Sequence, residues 1–281
     1  MPEARPPTPP DSREPRPSAA ESPDAAERFA ASFGFRPVDP AEKGGLVRRV
    51  FDSVAPRYDL MNDLMSLGVH RLWKAALVDW LRPRAGMTLI DVAGGTGDIA
   101  KRVLDRVAPG TRAKGAGTTR AVVCDINPAM LAVGRARLQG SPAAERMAWV
   151  AGDAEALPIA DRATDAYTIA FGIRNVTHLD RALAEARRVL VPGGRFLCLE
   201  FGPVVVPGLD ALYDAYSFRV LPWLGRQVAG DEDAYRYLAE SIRRFPAPEQ
   251  FASLIAQAGL GRVEIRRLSG GIANLYSAWR L

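Results

Sequence analysis

Only two cysteines and two histidines occur among the 281 residues. Cys124 and Cys198 each sit inside an apolar run that reads as a strand, so buried structural thiols are expected rather than a disulfide or a nucleophile. His70 and His178 are far apart in sequence and join no Cys/His cluster, which argues against a transition-metal site. No apolar run reaches the roughly 18 to 20 residues that a membrane span needs. The amino terminus has no apolar core of the kind a secretory signal carries, so cytoplasmic residence is the default expectation. The net charge of +5 comes without a dense basic stripe interleaved with aromatics, so nucleic acid is not an expected partner.

What is present suits one sizeable core, with 48% apolar residues in an ordinary globular balance. Residues 1–27 are the exception. Rich in proline, alanine, serine and charge, they hold too little large apolar surface to offset their ordering entropy, and a disordered tail is expected there. From Gly45 the pattern changes, and residues 45–281 read as a single domain. It opens with amphipathic helices over 45–81 (Leu46–Asp59 and Gly68–Leu81).

Strands and helices then alternate. Thr88–Val92, Ala121–Asp125, Met147–Ala151, Ala166–Phe171 and Gly194–Glu200 read as strands, with helices over Asp98–Val107, Pro128–Leu138 and Leu179–Leu190 between them. Such alternation implies right-handed βαβ units and a doubly wound α/β fold around a mostly parallel sheet. An aromatic-rich stretch over 208–244 interrupts the pattern as a cap insertion. After a last helix at Pro248–Ala258, Arg262–Leu268 and Ala273–Arg280 read as an antiparallel hairpin added to the sheet, giving seven strands.

The strongest local signal is the turn from Asp91 to Asp98 (DVAGGTGD), where a strand ends and a helix begins. In open α/β sheets that edge binds ligands. Gly94, Gly95 and Gly97 allow close backbone approach. Gly95–Ala100 also fits the G-x-G-x-x-A form of a dinucleotide fingerprint, so a nicotinamide enzyme must be weighed. Three features favour S-adenosylmethionine. Asp91 and Asp98 flank the turn with carboxylates, which repel a pyrophosphate and suit a sulfonium ligand carrying an ammonium group. Asp125 ends the second strand, where an acid can accept from both ribose hydroxyls, in either cofactor. Asp153 and Ala154 follow the third strand, placed to take an adenine amine and line the ring. After the fourth strand, Arg174 and Asn175 leave an apolar run at the ligand edge, facing the methyl-transfer centre.

Longer motifs carry a family resemblance. Val50–Lys74 (VFDSVAPRYDLMNDLMSLGVHRLWK), AGGTGD at Ala93–Asp98, FGIRNVT at Phe171–Thr177, LYDAYSF at Leu212–Phe218 and YRYLAESI at Tyr235–Ile242 resemble the ubiquinone/menaquinone biosynthesis C-methyltransferase family. The resemblance spans roughly Val47 to Arg280. It implies a Rossmann-like methyltransferase fold, S-adenosylmethionine as methyl donor without a metal, and a ring carbon of a polyprenylated benzoquinol or of demethylmenaquinol as acceptor. It further implies cofactor contacts from Thr96, Asp125, Asp153 and Ala154. Many members have serine where this chain has Ala170, so that contact is expected to be lost or made by backbone, and many have histidine where this chain has Tyr276.

A quinol ring carbon becomes a good nucleophile once a phenolic proton leaves. Arg174 is expected to hold the phenolate, directly or through a water, since guanidinium almost never deprotonates. Asn175 and Tyr58 are expected to orient the ring or the water. Gly95, Asp91 and Ala170 complete the expected cofactor site. Arginines in and beside the cap (Arg219, Arg226, Arg236, Arg243 and Arg244) suggest peripheral contact with anionic lipid on the inner face of the membrane. A homodimer, or a place in a quinone-biosynthesis complex, is the further expected partnership.

Overall fold

The computed structural model describes residues 27, 29–54, 63, 66, 68–107, 118–202 and 232–281. Most of the tail, Tyr58, and residues 208–231 of the aromatic insertion lie outside the described residues.

A short hairpin, β1 (Ser32–Phe33) and β2 (Arg36–Pro37), comes first, followed by α1 (Pro40–Val54) and α2 (His70–Leu81). The alternating part runs β3 (Thr88–Val92), α3 (Asp98–Arg106), β4 (Arg120–Asp125), α4 (Pro128–Leu138), β5 (Met147–Ala151), β6 (Thr164–Ala170), α5 (Leu179–Val189) and β7 (Leu190–Phe201). It closes with α6 (Glu232–Arg244), α7 (Pro248–Gln257), β8 (Gly261–Leu268) and β9 (Ala273–Trp279).

The seven strands lie in the order β5-β4-β3-β6-β7-β9-β8. The first five pair in parallel, while β9 pairs antiparallel with both β7 and β8. The chain therefore winds outward from β3 through β4 to β5, then returns to the other side of β3 to build β6. That reversal next to β3 is a topological switch point, where a crevice opens at the carboxyl ends of the strands.

Side-chain alternation divides the core in two. Leu89, Val123, Leu197, Leu199 and Leu275 face Trp73, Leu77, Val103, Leu104 and Leu238 on one side. Ile90, Val92, Ile169, Phe196 and Cys198 face Leu183, Ala186, Phe251 and Ile255 on the other. Both faces are covered, as a parallel sheet requires. Each fully buried Leu or Ile contributes about 1.5–3 kcal/mol. Cys124 and Cys198 are buried free thiols on the second face. Tyr276 belongs there too, its ring edge-on to Phe251 at 4.9 Å, so it is packed as core and does not line the cleft described below.

Two boundaries differ from the sequence reading. Packed structure begins well before Gly45. Phe29 meets Phe245 edge-on at 6.0 Å, the buried Lys43 ammonium sits 3.7 Å from the centre of the Phe29 ring, and α1 starts at Pro40. This segment is short and its partners lie some two hundred residues away, so no local periodicity marks it. β7 is also longer than expected. It begins at Leu190 and absorbs Pro192-Gly193-Gly194 as a register shift against β6.

Candidate active site

The chain between β3 and α3 turns on Ala93, Gly95 and Gly97, all with positive φ (49°, 54° and 78°). The amide hydrogens of its three glycines are already committed. Gly94 donates to the Cys124 carbonyl at 3.2 Å and Gly97 to the Gly94 carbonyl at 2.8 Å. Gly95 donates to Asp125 Oδ2 at 2.8 Å. A dinucleotide site needs such amides free for a pyrophosphate; here the turn presents a carboxylate instead.

Asp125 is almost fully buried at the end of β4. Its second oxygen accepts the Asn127 N–H at 2.8 Å, and Asn127 in turn caps α4 by accepting from the amides of Ala129 and Met130. Burial raises the carboxyl's pKa, and the two backbone donors work in the opposite direction. Each oxygen keeps a second acceptor site, which suits a vicinal diol.

A cleft with about 850 Å³ of open space lies over these strand ends. Gly95, Asp125, Asp153 and Ala154 line it, as the sequence reading expected, together with Ile126, Met130, Phe171, Asn175 and Val176. Gly44, Val47 and Arg48 of α1 close its other side. Flat apolar walls at Ile126, Ala154 and Val176 suit an adenine or another ring. Asp153 is exposed, with Oδ1 accepting the Glu155 N–H at 2.9 Å.

Beyond the glycine turn is a smaller hollow of about 340 Å³, lined by Lys74, Asp91, Thr96, Asp98, Ala170 and Phe171, among others. Thr96, Asp91 and Ala170 therefore group here rather than in the larger cleft. Asp91 does not flank the turn openly. It lies one residue inside the end of β3, 1% exposed, where Oδ1 accepts from Thr168 Oγ1 (2.8 Å) and Oδ2 from the Ala100 N–H (3.3 Å). Burial pushes its carboxyl up to about 7. Asp98 is the first residue of α3 and pairs with Lys74 Nζ (3.0 Å) and Arg102 Nε (2.8 Å). Although burial opposes it, these cations hold its pKa below the usual value.

Arg174 requires a correction. The sequence reading left its guanidinium free at the ligand edge. In the structure it is 2% exposed and does not line the cleft. Nη1 donates to Glu200 Oε1 (2.6 Å) and to the Phe171 carbonyl (2.7 Å), and its backbone N–H donates to Glu200 Oε2 (3.2 Å). Glu200, at the end of β7, is fully buried and could hold its charge there only with such a partner. Nε of Arg174 is buried and makes no hydrogen bond. A direct hold on a ligand is thus replaced by a paired charge set behind the cleft wall.

Asn175 does line the cleft. It lies on the turn Ile173–Asn175, against which α6 packs, and its Oδ1 accepts the Tyr237 hydroxyl at 3.1 Å. Glu155 fastens the next loop. One of its oxygens accepts the Thr177 and His178 amides (2.6 and 3.0 Å), the other meets His178 Nδ1 at 2.8 Å, and the loops after β5 and β6 are thereby tied together. Glu200, Glu155, Thr168 and Tyr237 were not singled out from sequence. Each acts through a partner distant in the chain, and no local spacing encodes that. Among the described residues, no three His, Cys, Asp or Glu side chains gather as metal ligands.

A carboxylate-faced glycine turn at the switch point of a seven-stranded sheet ending in an antiparallel pair defines a Rossmann-like, S-adenosylmethionine-dependent methyltransferase. A solved methyltransferase of that type from Thermotoga maritima matches over 84% of this chain and all of its own, with a TM-score of 0.55 at 16% identity, a likeness of fold. Sequence is more specific. The family model described as the ubiE/COQ5 methyltransferase family matches residues 39–280. A ubiquinone/menaquinone biosynthesis C-methyltransferase of Paracoccus denitrificans is 59% identical over 89% of this chain and 96% of its own length. One from Methylobacterium nodulans is 58% identical over 92% of this chain and 99% of its own. The chain belongs to the ubiE/COQ5 methyltransferase family.

Proposed function

We propose that this protein transfers the methyl group of S-adenosylmethionine to a ring carbon of a polyprenylated quinol: 2-polyprenyl-6-methoxy-1,4-benzoquinol, demethylmenaquinol or both. The observation that carries the donor half is the Gly95 amide closed by Asp125, which turns a phosphate-type turn into a diol-binding one. The acceptor half is supported by the activity in the names of relatives more than half identical to this chain.

When bound, S-adenosylmethionine supplies an electrophilic methyl on a sulfonium. Asp125 takes the ribose hydroxyls, Asp153 the adenine amine, and Ala154 the ring face, with Gly95 giving close approach. Asp91 and Thr96 receive the amino-acid end in the smaller hollow, where Ala170 offers only backbone. The apolar walls at Val47, Phe171 and Val176 keep water from the reacting carbon. Asn175 orients the acceptor ring. Arg174, neutralised by Glu200, acts from behind the wall through Nε and a water. Tyr58 keeps its proposed role as a second orienting group.

Methyl transfer from tritiated S-adenosylmethionine to each reduced quinol is the direct test. Incorporation into at least one organic product is expected, with no calorimetric signal for NADH. Incorporation into neither quinol would overturn the acceptor assignment. For the lipid-borne acceptor, peripheral membrane contact is proposed through exposed Arg236 and Arg244, with Arg244 lying 5.6 Å from the centre of the exposed Phe35 ring. No described helix is long and apolar enough to cross a membrane. Flotation with anionic vesicles that is lost at high salt checks this. A homodimer is proposed through β5, which pairs on one side only among the described strands; sedimentation checks it.

A further inference from the structure

Tyr237 lies on α6, some sixty residues from the turn that carries Asn175, yet its hydroxyl reaches the Asn175 carboxamide. The phenol is 4% exposed, and its ring is stacked on Phe33 of the amino-terminal hairpin, with centroids 4.2 Å apart and planes at 17°. Hairpin, helix and turn are therefore locked together at one wall of the cleft.

A carboxamide has two unlike ends. One accepts hydrogen bonds and the other donates two. If the Tyr237 hydroxyl donates to Oδ1, the NH₂ end remains for the cleft. The reverse arrangement would have Nδ2 donate to the phenol oxygen and leave the buried hydroxyl hydrogen without the acceptor it now has. An unmade bond of that kind is costly. The phenol also remains a donor. Burial raises its pKa above the usual tyrosine value, Arg174 lowers it and Glu200 raises it again.

We propose that Tyr237 is a positioning residue that holds Asn175 with its NH₂ toward the acceptor, so that the cleft favours a ring oxygen carrying negative charge over a neutral one. This rests on the reading that Asn175 faces the acceptor. A donor aimed at that oxygen stabilises the phenolate, in which the neighbouring ring carbon is electron-rich. An Oδ1 aimed there would repel it.

Tyr237→Phe removes the hydroxyl and frees the carboxamide to turn. The probes are 2,4-dinitro-1-naphthol, an anion at neutral pH, and its methyl ether, each titrated into the intact protein with saturating S-adenosylhomocysteine. The wild type is expected to prefer the anion. Y237F should lose about tenfold of that preference and about tenfold in kcat with whichever of the two reduced quinols the wild type methylates, with the KM for S-adenosylmethionine within twofold. A wild-type preference and kcat in Y237F would overturn the proposal. Asn175→Asp separates the two levels. If N175D keeps the preference, the underlying reading of Asn175 falls; if N175D loses it and Y237F does not, only the role of Tyr237 falls. Placing 3-fluorotyrosine at 237 keeps the O–H and the stack, and is expected to retain or raise the preference because its phenol is more acidic. Loss there would mark packing as the role and overturn the proposal, and the same measurement decides the matter if Y237F does not fold.

Discussion

Lowering the pH from 8 to 6 should weaken the binding of S-adenosylhomocysteine about tenfold, and Asp91 should be the reason. Its carboxyl is held by the Thr168 hydroxyl and the Ala100 amide, neither of them a cation, and burial brings it to about 7. About nine-tenths of it is then ionised at pH 8 and about one-tenth at pH 6. Only the ionised form offers the ligand's ammonium a counter-charge, so apparent affinity follows that fraction, a loss of about 1.4 kcal/mol. Calorimetry in buffers of unlike ionisation enthalpy should register release of about half a proton near pH 7. Asp91→Asn should bind more weakly and lose this slope, and since it meets the same ligand, it subtracts the ligand's own titration. Wild-type affinity that is flat across this range, or an Asp91→Asn variant that keeps the slope, would refute the reasoning. Stability carries the opposite sign. The folded pKa lies above the unfolded one, so the protonated carboxyl favours the fold at low pH. That advantage is lost as pH rises from about 4 to about 7, by about 4 kcal/mol in all.

Glu200→Ala leaves the Arg174 charge buried without its partner and should cost about 3–5 kcal/mol by denaturant titration. Asp125→Ala removes the proposed ribose acceptor and the partner of two backbone amides; S-adenosylhomocysteine affinity should fall about a hundredfold or more by calorimetry. Gly172→Ala would drive a methyl group into the Ala93 side chain, forcing the glycine turn and the Phe171–Thr177 loop apart; a stability loss of about 1–3 kcal/mol and weakened ligand binding are expected. Glu155→Gln keeps the shape of the tie between the loops after β5 and β6 but not its charge, and kcat/KM should fall several-fold while the melting temperature changes little.

The elements legible in the sequence were those that repeat a local rule. Thr88–Val92 and Met147–Ala151 are short apolar runs ending at a glycine, and both strands match to the residue. Asn127-Pro128 is a cap followed by proline, and α4 starts where that pair predicts. The cleft-lining positions of Asp125, Asp153 and Ala154 were legible because each follows a strand, and every parallel strand ends at the same edge. The direct reach of Arg174 to a ligand was misjudged for the converse reason. Polar residues leaving a strand look alike whether they face a ligand or a buried acid, and the acid here, Glu200, ends a different strand. Asp91 differed in a similar way. One residue of register decides whether a carboxylate opens on the turn or is folded under it beside Thr168. Lys43 and Phe29 left no signal at all, because a single buried cation over one ring has no period.

The place of β9 bears on how this protein is made. It is the last strand in the chain, yet it sits between β7 and β8, and Arg280 just beyond it donates to the carbonyls of Arg187, Arg188 and Leu190 at 2.8, 2.9 and 2.6 Å. During synthesis β7 emerges about seventy residues before its neighbour, a wait of about 4–14 s at ordinary elongation rates. Throughout it, an apolar strand edge is unpaired and able to join a strand of another nascent chain. That window closes only when β9 has been made. Residues fused at either terminus leave that interval unchanged, because it is set by the chain between Phe201 and Ala273.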